Sequence, residues 1–144
     1  MHYLDRNRQS INKTYAGTEK NWYFSGTTYS LYLLLSKLIR DTVKGRVLDA
    51  GAGDLQYQSL LRNCAKSYES FDIEARQPGI THIGDIQDMR QLETEGFDVV
   101  FCNQVIEHVP SPQQAISEMH RILKLGGVLI LAAPHLSRLH EEPH

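Results

Sequence analysis

"VLDAGAGDL", residues 47–55, is an apolar run that closes on an acid and continues into two glycines at alternate positions. Glycine has no Cβ to collide with a ligand lying against the backbone. The N–H groups of such a turn, and of a helix that follows it, can be shared with that ligand. The same pair of glycines also suits a plain tight turn from strand to helix. What else collects at this end of the strand separates the two.

Working outward, "GRVLDAG" at 45–51 reads as a short buried strand and "LQYQSLLRNCA" at 55–65 as a helix. Upstream, Leu31, Leu34, Leu35, Leu38 and Ile39 recur at helical spacing and predict an amphipathic helix over 27–43. Downstream, "SYESFDI" at 67–73 alternates like a strand, and "ITHIGD" at 80–85 is a second short one. "FDVVFCN" at 97–103 is apolar and β-branched, as a central strand should be. Ser111, Pro112 and Gln114 make a helix start: a cap, a first-turn proline and the far half of a capping box. Ala115, Ile116, Met119, Ile122 and Leu123 then share an apolar face. Gly126 and Gly127 are read as its stop, and "VLILAAP" at 128–134 as a last strand. Strands alternating with helices predict an α/β fold with a mainly parallel sheet covered on both faces. Residues 1–26 are polar with scattered aromatics and read as an arm before a single domain over 27–144.

The bulk numbers agree with a globular chain: 144 residues, 41% apolar and 22% charged. A formal net charge of -2 gives no electrostatic reason to expect nucleic-acid binding. Cys64 and Cys102 are too few and too far apart for a zinc cluster or a disulfide framework, so no metal site and a reducing cytoplasm are expected. The polar start "MHYLDRNRQS" is no secretory signal, and "LYLLL" at 31–35 is far short of a membrane span.

In parallel sheets of this kind ligands bind beyond the carboxyl ends of the strands. There the sequence gathers Asp49, Gly51 and Gly53 after the first strand and Asp72 at the end of the second. Asp85 follows the third strand, and Asn103 ends the fourth before Glu107 and His108. An acid at the second strand end suits a ribose diol. Asp85 stands where an exocyclic amine can be accepted. A dinucleotide fits less well, because its fingerprint needs a third glycine where Gln56 stands. Asp49 and Asp54 would also repel a pyrophosphate. An acidic turn favours a cationic ligand, and S-adenosylmethionine carries an ammonium and a sulfonium.

"VLDAGAGDL", "SFDI", "GDIQDM", "FDVVFCNQVIEHVPSP" and "ILKLGGVLILAAP" together resemble the successive motifs of class I S-adenosylmethionine-dependent methyltransferases, closest to the small-molecule group called type 11. The resemblance spans roughly residues 28–135 and implies a Rossmann-like three-layer sandwich. It implies that Asp49, Gly51 and Gly53 line the methionine end, that Asp72 holds the ribose, and that Asp85 and Ile86 contact adenine. It sets Asn103 and Gln104 beside the reactive methyl. The implied reaction passes that methyl to a small-molecule acceptor and leaves S-adenosylhomocysteine. Two departures stand out: Leu55 replaces a further glycine of the first motif, and Gln104 and Val105 follow Asn103 where amino-group methylases of DNA and protein carry two prolines.

Several residues keep two readings. Asp72 is a ribose ligand or a solvated strand end, with Glu74 its rival. Asp85 is a base ligand or the cap of the next segment. His108 is a general base for a hydroxyl acceptor, or it packs between strand and helix. Trp22 and Tyr23 pin the arm to the core or close over the ligand. Cys102 belongs in the core. The family's sheet ends in an antiparallel hairpin, whereas this chain ends at "HLSRLHEEPH" after the fifth strand. A form truncated there is expected to self-associate through the 127–134 edge. A non-catalytic cofactor-binding or interaction module is the rival function. A nicotinamide-dependent oxidoreductase is disfavoured by Gln56 and the acidic turn.

Overall fold

The computed structural model describes residues 26–76 and 78–134. Trp22 and Tyr23 lie outside them, as does the arm. The described chain begins with helix α1 (Gly26–Thr42) and enters the sheet at β1 (Arg46–Ala50). Helix α2 (Gln58–Cys64) leads to β2 (Ser67–Asp72) and then the two-residue β3 (His82–Ile83). Strand β4 (Phe97–Asn103) runs through a 3₁₀ turn (Ile106–His108) into α3 (Pro112–Ile122) and β5 (Leu123–Ala132).

All five strands are parallel, in the order β3-β2-β1-β4-β5. The chain starts at the centre, walks out to β3, then returns to lay β4 on the other side of β1. The order therefore reverses between β1 and β4, which opens a crevice at their carboxyl ends. Because β1 is central, its alternate side chains enter two different cores. Leu48 and Ala50 join Phe71, Met89, Met119 and Ile122 on the α3 side. Val47 joins Leu35, Ile39, Leu61 and Phe101 under α1 and α2. The three-layer, Rossmann-like α/β architecture expected from the sequence is the one found.

Five local expectations are corrected. The buried row of α1 is Leu35 and Ile39, continued at the same spacing by Val43 just past its end, while Leu34 and Leu38 point outward at 65% and 41% exposure. Helix α2 starts at Gln58, not 55, because Leu55 has φ +58°, which a right-handed helix does not contain. At α3, Pro112 takes the first turn as expected, but Ser111 makes no side-chain cap and its N–H donates instead to Gln87 Oε1 at 2.8 Å. Ile116, expected on the apolar face, is largely exposed. The helix also ends at Ile122, before the glycines. Leu123 already pairs with Phe97, and residues 124–127 bulge out before Val128 pairs with Val99. Gly126, at φ +78°, shapes that bulge rather than stopping the helix.

Candidate functional site

The turn after β1 is anchored before any ligand is considered. The Gly51 and Ala52 N–H groups both donate to the Phe71 carbonyl, at 2.8 and 3.1 Å. This pins the turn across β2. The two glycines then serve different ends. Gly51 sits at φ +76°, and a Cβ there would meet the Val105 side chain, with Cγ1 at 2.7 Å. Its bareness is demanded by protein. Gly53 sits at φ +50° with nothing within 4 Å of its would-be Cβ. Its bareness faces open space.

That space is a cleft of about 380 Å³ lined by Gly51, Gly53, Asp72, Asp85 and Ile86 from one side of the switch point. Gln104, Val105 and His108 close it from the other. A neighbouring cavity of about 260 Å³ shares Gly51, Gly53 and Gln104 and reaches Asp49, Asp54 and Asn103. Every residue singled out from the sequence as a binding residue lines one cavity or the other, and so does His108. Glu107 and Glu74 line neither.

Asp72 Oδ2 accepts the Gly53 N–H at 2.7 Å, and Oδ1 accepts the Glu74 N–H at 3.3 Å. Asp49 is almost fully buried and accepts the Tyr68 hydroxyl at 2.9 Å. Burial pushes its carboxyl up to about 7; the Tyr68 hydrogen bond opposes this and the nearby Asp72 charge adds to it. Asn103 Oδ1 is buried with no hydrogen-bond partner among the described residues. A buried carbonyl oxygen left in that state beside a cavity is a position for a ligand donor. Asp85 Oδ1 accepts the Gln87 N–H at 2.8 Å, so it caps the following turn as well as lining the cleft. His108 ends the 3₁₀ turn, with Nε2 3.8 Å from Glu107 Oε1.

Three contributors were not singled out from the sequence. Arg76 lines both cavities while donating to Glu74 at 2.5 Å. Ile73, 67% exposed, presents an apolar side chain at the cleft next to Asp72. Tyr68 reaches Asp49 only because β2 lies in register beside β1. Arg76 and Tyr68 belong to no motif, and Ile73 closes "SFDI" without a polar group that would mark it as a binding residue.

A family model described as a methyltransferase domain matches residues 48–131, from β1 to β5. The chain belongs to the methyltransferase domain family. It is similar to mouse arsenite methyltransferase, 30% identical over 116 residues, covering 78% of this chain and 30% of that protein. It is also similar to the ubiquinone biosynthesis O-methyltransferase of Xanthomonas oryzae pv. oryzae, 29% identical over 105 residues, covering 64% of this chain and 44% of that one. The chain thus spans less than half the length of either. Among solved structures, an S-adenosylmethionine-dependent methyltransferase from Mesorhizobium loti superposes at TM-score 0.55 with 20% identity, over 68% of this chain and 51% of that one. This likeness is one of fold. In this methyltransferase domain, no helix among the described residues is long and apolar enough to cross a membrane. No metal-binding cluster of His, Cys, Asp or Glu occurs among the described residues.

Proposed function

We propose that this chain binds S-adenosylmethionine across the ends of β1, β2 and β4, and serves the transfer of its methyl group to a small-molecule acceptor. The observation that carries the reading is the acid-lined cleft at the switch point, with bare backbone at Gly53 and an orphaned buried oxygen on Asn103. Asp49 and Asn103 Oδ1 are acceptors suited to an ammonium. Asp72 is an acceptor suited to a ribose diol. Asp85, with Ile86 and Ile73, suits the amine edge and face of adenine. Gln104 borders both cavities, where the reactive end would lie. When bound, the cofactor supplies a methyl group on a cationic sulfur. The chain's own part is to orient that group and to exclude water, and carboxylates around the cleft favour the charged form of the ligand.

His108 is the residue we assign to proton removal from a hydroxyl or thiol acceptor, because it lines the larger cavity beside Gln104. The relatives are named for arsenite and for ubiquinone biosynthesis, which supports a small acceptor. We further propose a domain over 27–144 preceded by an arm, a cytoplasmic setting in which Cys64 and Cys102 stay free, and pairing of the β5 edge with a second copy.

The test is calorimetry with S-adenosylhomocysteine alongside methyl transfer from labelled S-adenosylmethionine to candidate acceptors. Binding plus transfer supports the whole reading. Binding without transfer to any acceptor favours a non-catalytic cofactor-binding module. No binding overturns the site. His108→Ala should cut turnover by roughly 10²–10⁴-fold with cofactor affinity unchanged. Normal turnover in that variant would end its catalytic role.

A further inference from the structure

Asp85 is held by a residue that lines neither cavity. The Gln87 backbone N–H donates to Asp85 Oδ1 at 2.8 Å. Its side-chain Nε2 donates to Oδ1 at 3.1 Å and to Oδ2 at 3.0 Å. Its Oε1 accepts the Ser111 backbone N–H at 2.8 Å. An amide carries its acceptor and its donors on different atoms. A backbone N–H can only donate, so Ser111 selects the oxygen of Gln87 and leaves the NH₂ to Asp85. The backbone bond by itself anchors one carboxylate oxygen and lets the group turn about Cβ–Cγ. The NH₂ shared between both oxygens removes that freedom.

The rest of this segment is clamped to α3 in the same manner. Glu118 Oε2 accepts the Met89 N–H at 2.7 Å, and Arg121 donates to the Met89 and Leu92 carbonyls at 2.8 and 3.0 Å. Met89 and Leu92 are themselves buried. The Gln87–Ser111 bond is therefore part of a docked segment rather than an isolated surface contact.

We propose that Gln87 is a positioning residue for base recognition: it fixes the plane of the Asp85 carboxylate, so that the remaining lone pairs meet an exocyclic amine in the cleft, and it ties that orientation to the start of α3. This rests on the reading of Asp85 as the acceptor of the adenine amine. A 6-oxo base offers an oxygen where adenine offers a donor, so a fixed carboxylate rejects it. A carboxylate free to turn rejects it less.

The test measures the affinity of the full chain for S-adenosylhomocysteine and for its 6-oxo analogue, S-inosylhomocysteine, in four proteins: wild type, Asp85→Asn, Gln87→Glu and Gln87→Ala. Gln87→Glu keeps an acceptor for Ser111 but replaces the NH₂ shared by the two Asp85 oxygens with a like-charged carboxyl. It should lower the amino-over-oxo preference by about tenfold. Gln87→Ala should lower the preference as well. Asp85→Asn should abolish or reverse it, because an amide can donate to the 6-oxygen. If both Gln87 variants weaken the two ligands equally and leave the ratio unchanged, Gln87 is merely structural and the proposal is overturned. If Asp85→Asn leaves the ratio unchanged, the underlying reading of Asp85 falls, and the proposal with it.

Discussion

The Asp72 carboxylate accepts the Gly53 N–H at 2.7 Å, so the acid at the end of β2 braces the glycine turn at the end of β1. A residue read from the sequence as a ligand contact also fixes the shape of the turn that lines the cleft. Asp72→Ala should weaken S-adenosylhomocysteine by about tenfold or more, through the lost hydroxyl acceptor and the loosened turn together. Calorimetry giving an unchanged affinity would remove Asp72 from the site.

Gly51 and Gly53 should fail differently when substituted. Gly51→Ala drives a Cβ into Val105 on backbone that is also left-handed, at φ +76°, so about 1–3 kcal/mol of overpacking adds to roughly 1–2 kcal/mol of backbone strain. Val105→Ala should recover part of that loss in the double variant. Gly53→Ala meets no protein atom, so its stability cost is limited to the roughly 1–2 kcal/mol of left-handed backbone. Its Cβ faces the cleft and should lower ligand affinity instead. Equal melting temperatures for the two single variants would contradict this division.

Leu55 is a buried side chain on left-handed backbone at φ +58°. At an ordinary site alanine is more stable than glycine. Here the order should invert, with Leu55→Gly more stable than Leu55→Ala by about 1 kcal/mol, since glycine alone adopts this φ without strain. Chemical denaturation of the pair decides it.

The Asp49 carboxyl, raised to about 7 by burial in the folded state, has an ordinary value of 3.8 when unfolded. Between those values the folded state holds a proton that the unfolded state has lost. Stability should therefore fall as pH rises from about 4 to about 7 and level off above. A cationic ligand favours the ionised form, so affinity for S-adenosylmethionine should rise over the same range. Asp49→Asn should flatten both profiles. Tyr68→Phe removes the hydrogen bond that holds the carboxyl down, and should move the midpoint upward.

Strand β5 lies at the edge of the sheet, unpaired on its outer side among the described residues, with Val128 and Leu131 each 39% exposed. An apolar edge of this kind is a template for another strand. Light scattering over a dilution series should report a concentration-dependent dimer or larger species, and Leu131→Lys should reduce it. Leu129 is the wrong probe, because it packs against the α3-side core. A concentration-independent monomer in both proteins would refute the pairing.

The sequence by itself determined the strand and helix order, and it named the acids and glycines at the strand ends. These are local properties: apolar period, β-branching and the need for bare backbone are written within a few residues of each other. Cys102 was legible as core for the same reason, and it is buried in β4. The partners of those residues were decided by the tertiary structure alone. Gly51 owes its bareness to Val105, more than fifty positions away, and Asp49 owes its hydrogen bond to Tyr68 on the next strand. The capping box at Ser111 was a sound local pattern, yet Gln87 took the N–H that the box would have used. A donor goes to whichever acceptor the packed chain brings within reach, and for Ser111 that acceptor is on a loop clamped to α3, not in the next turn of its own helix.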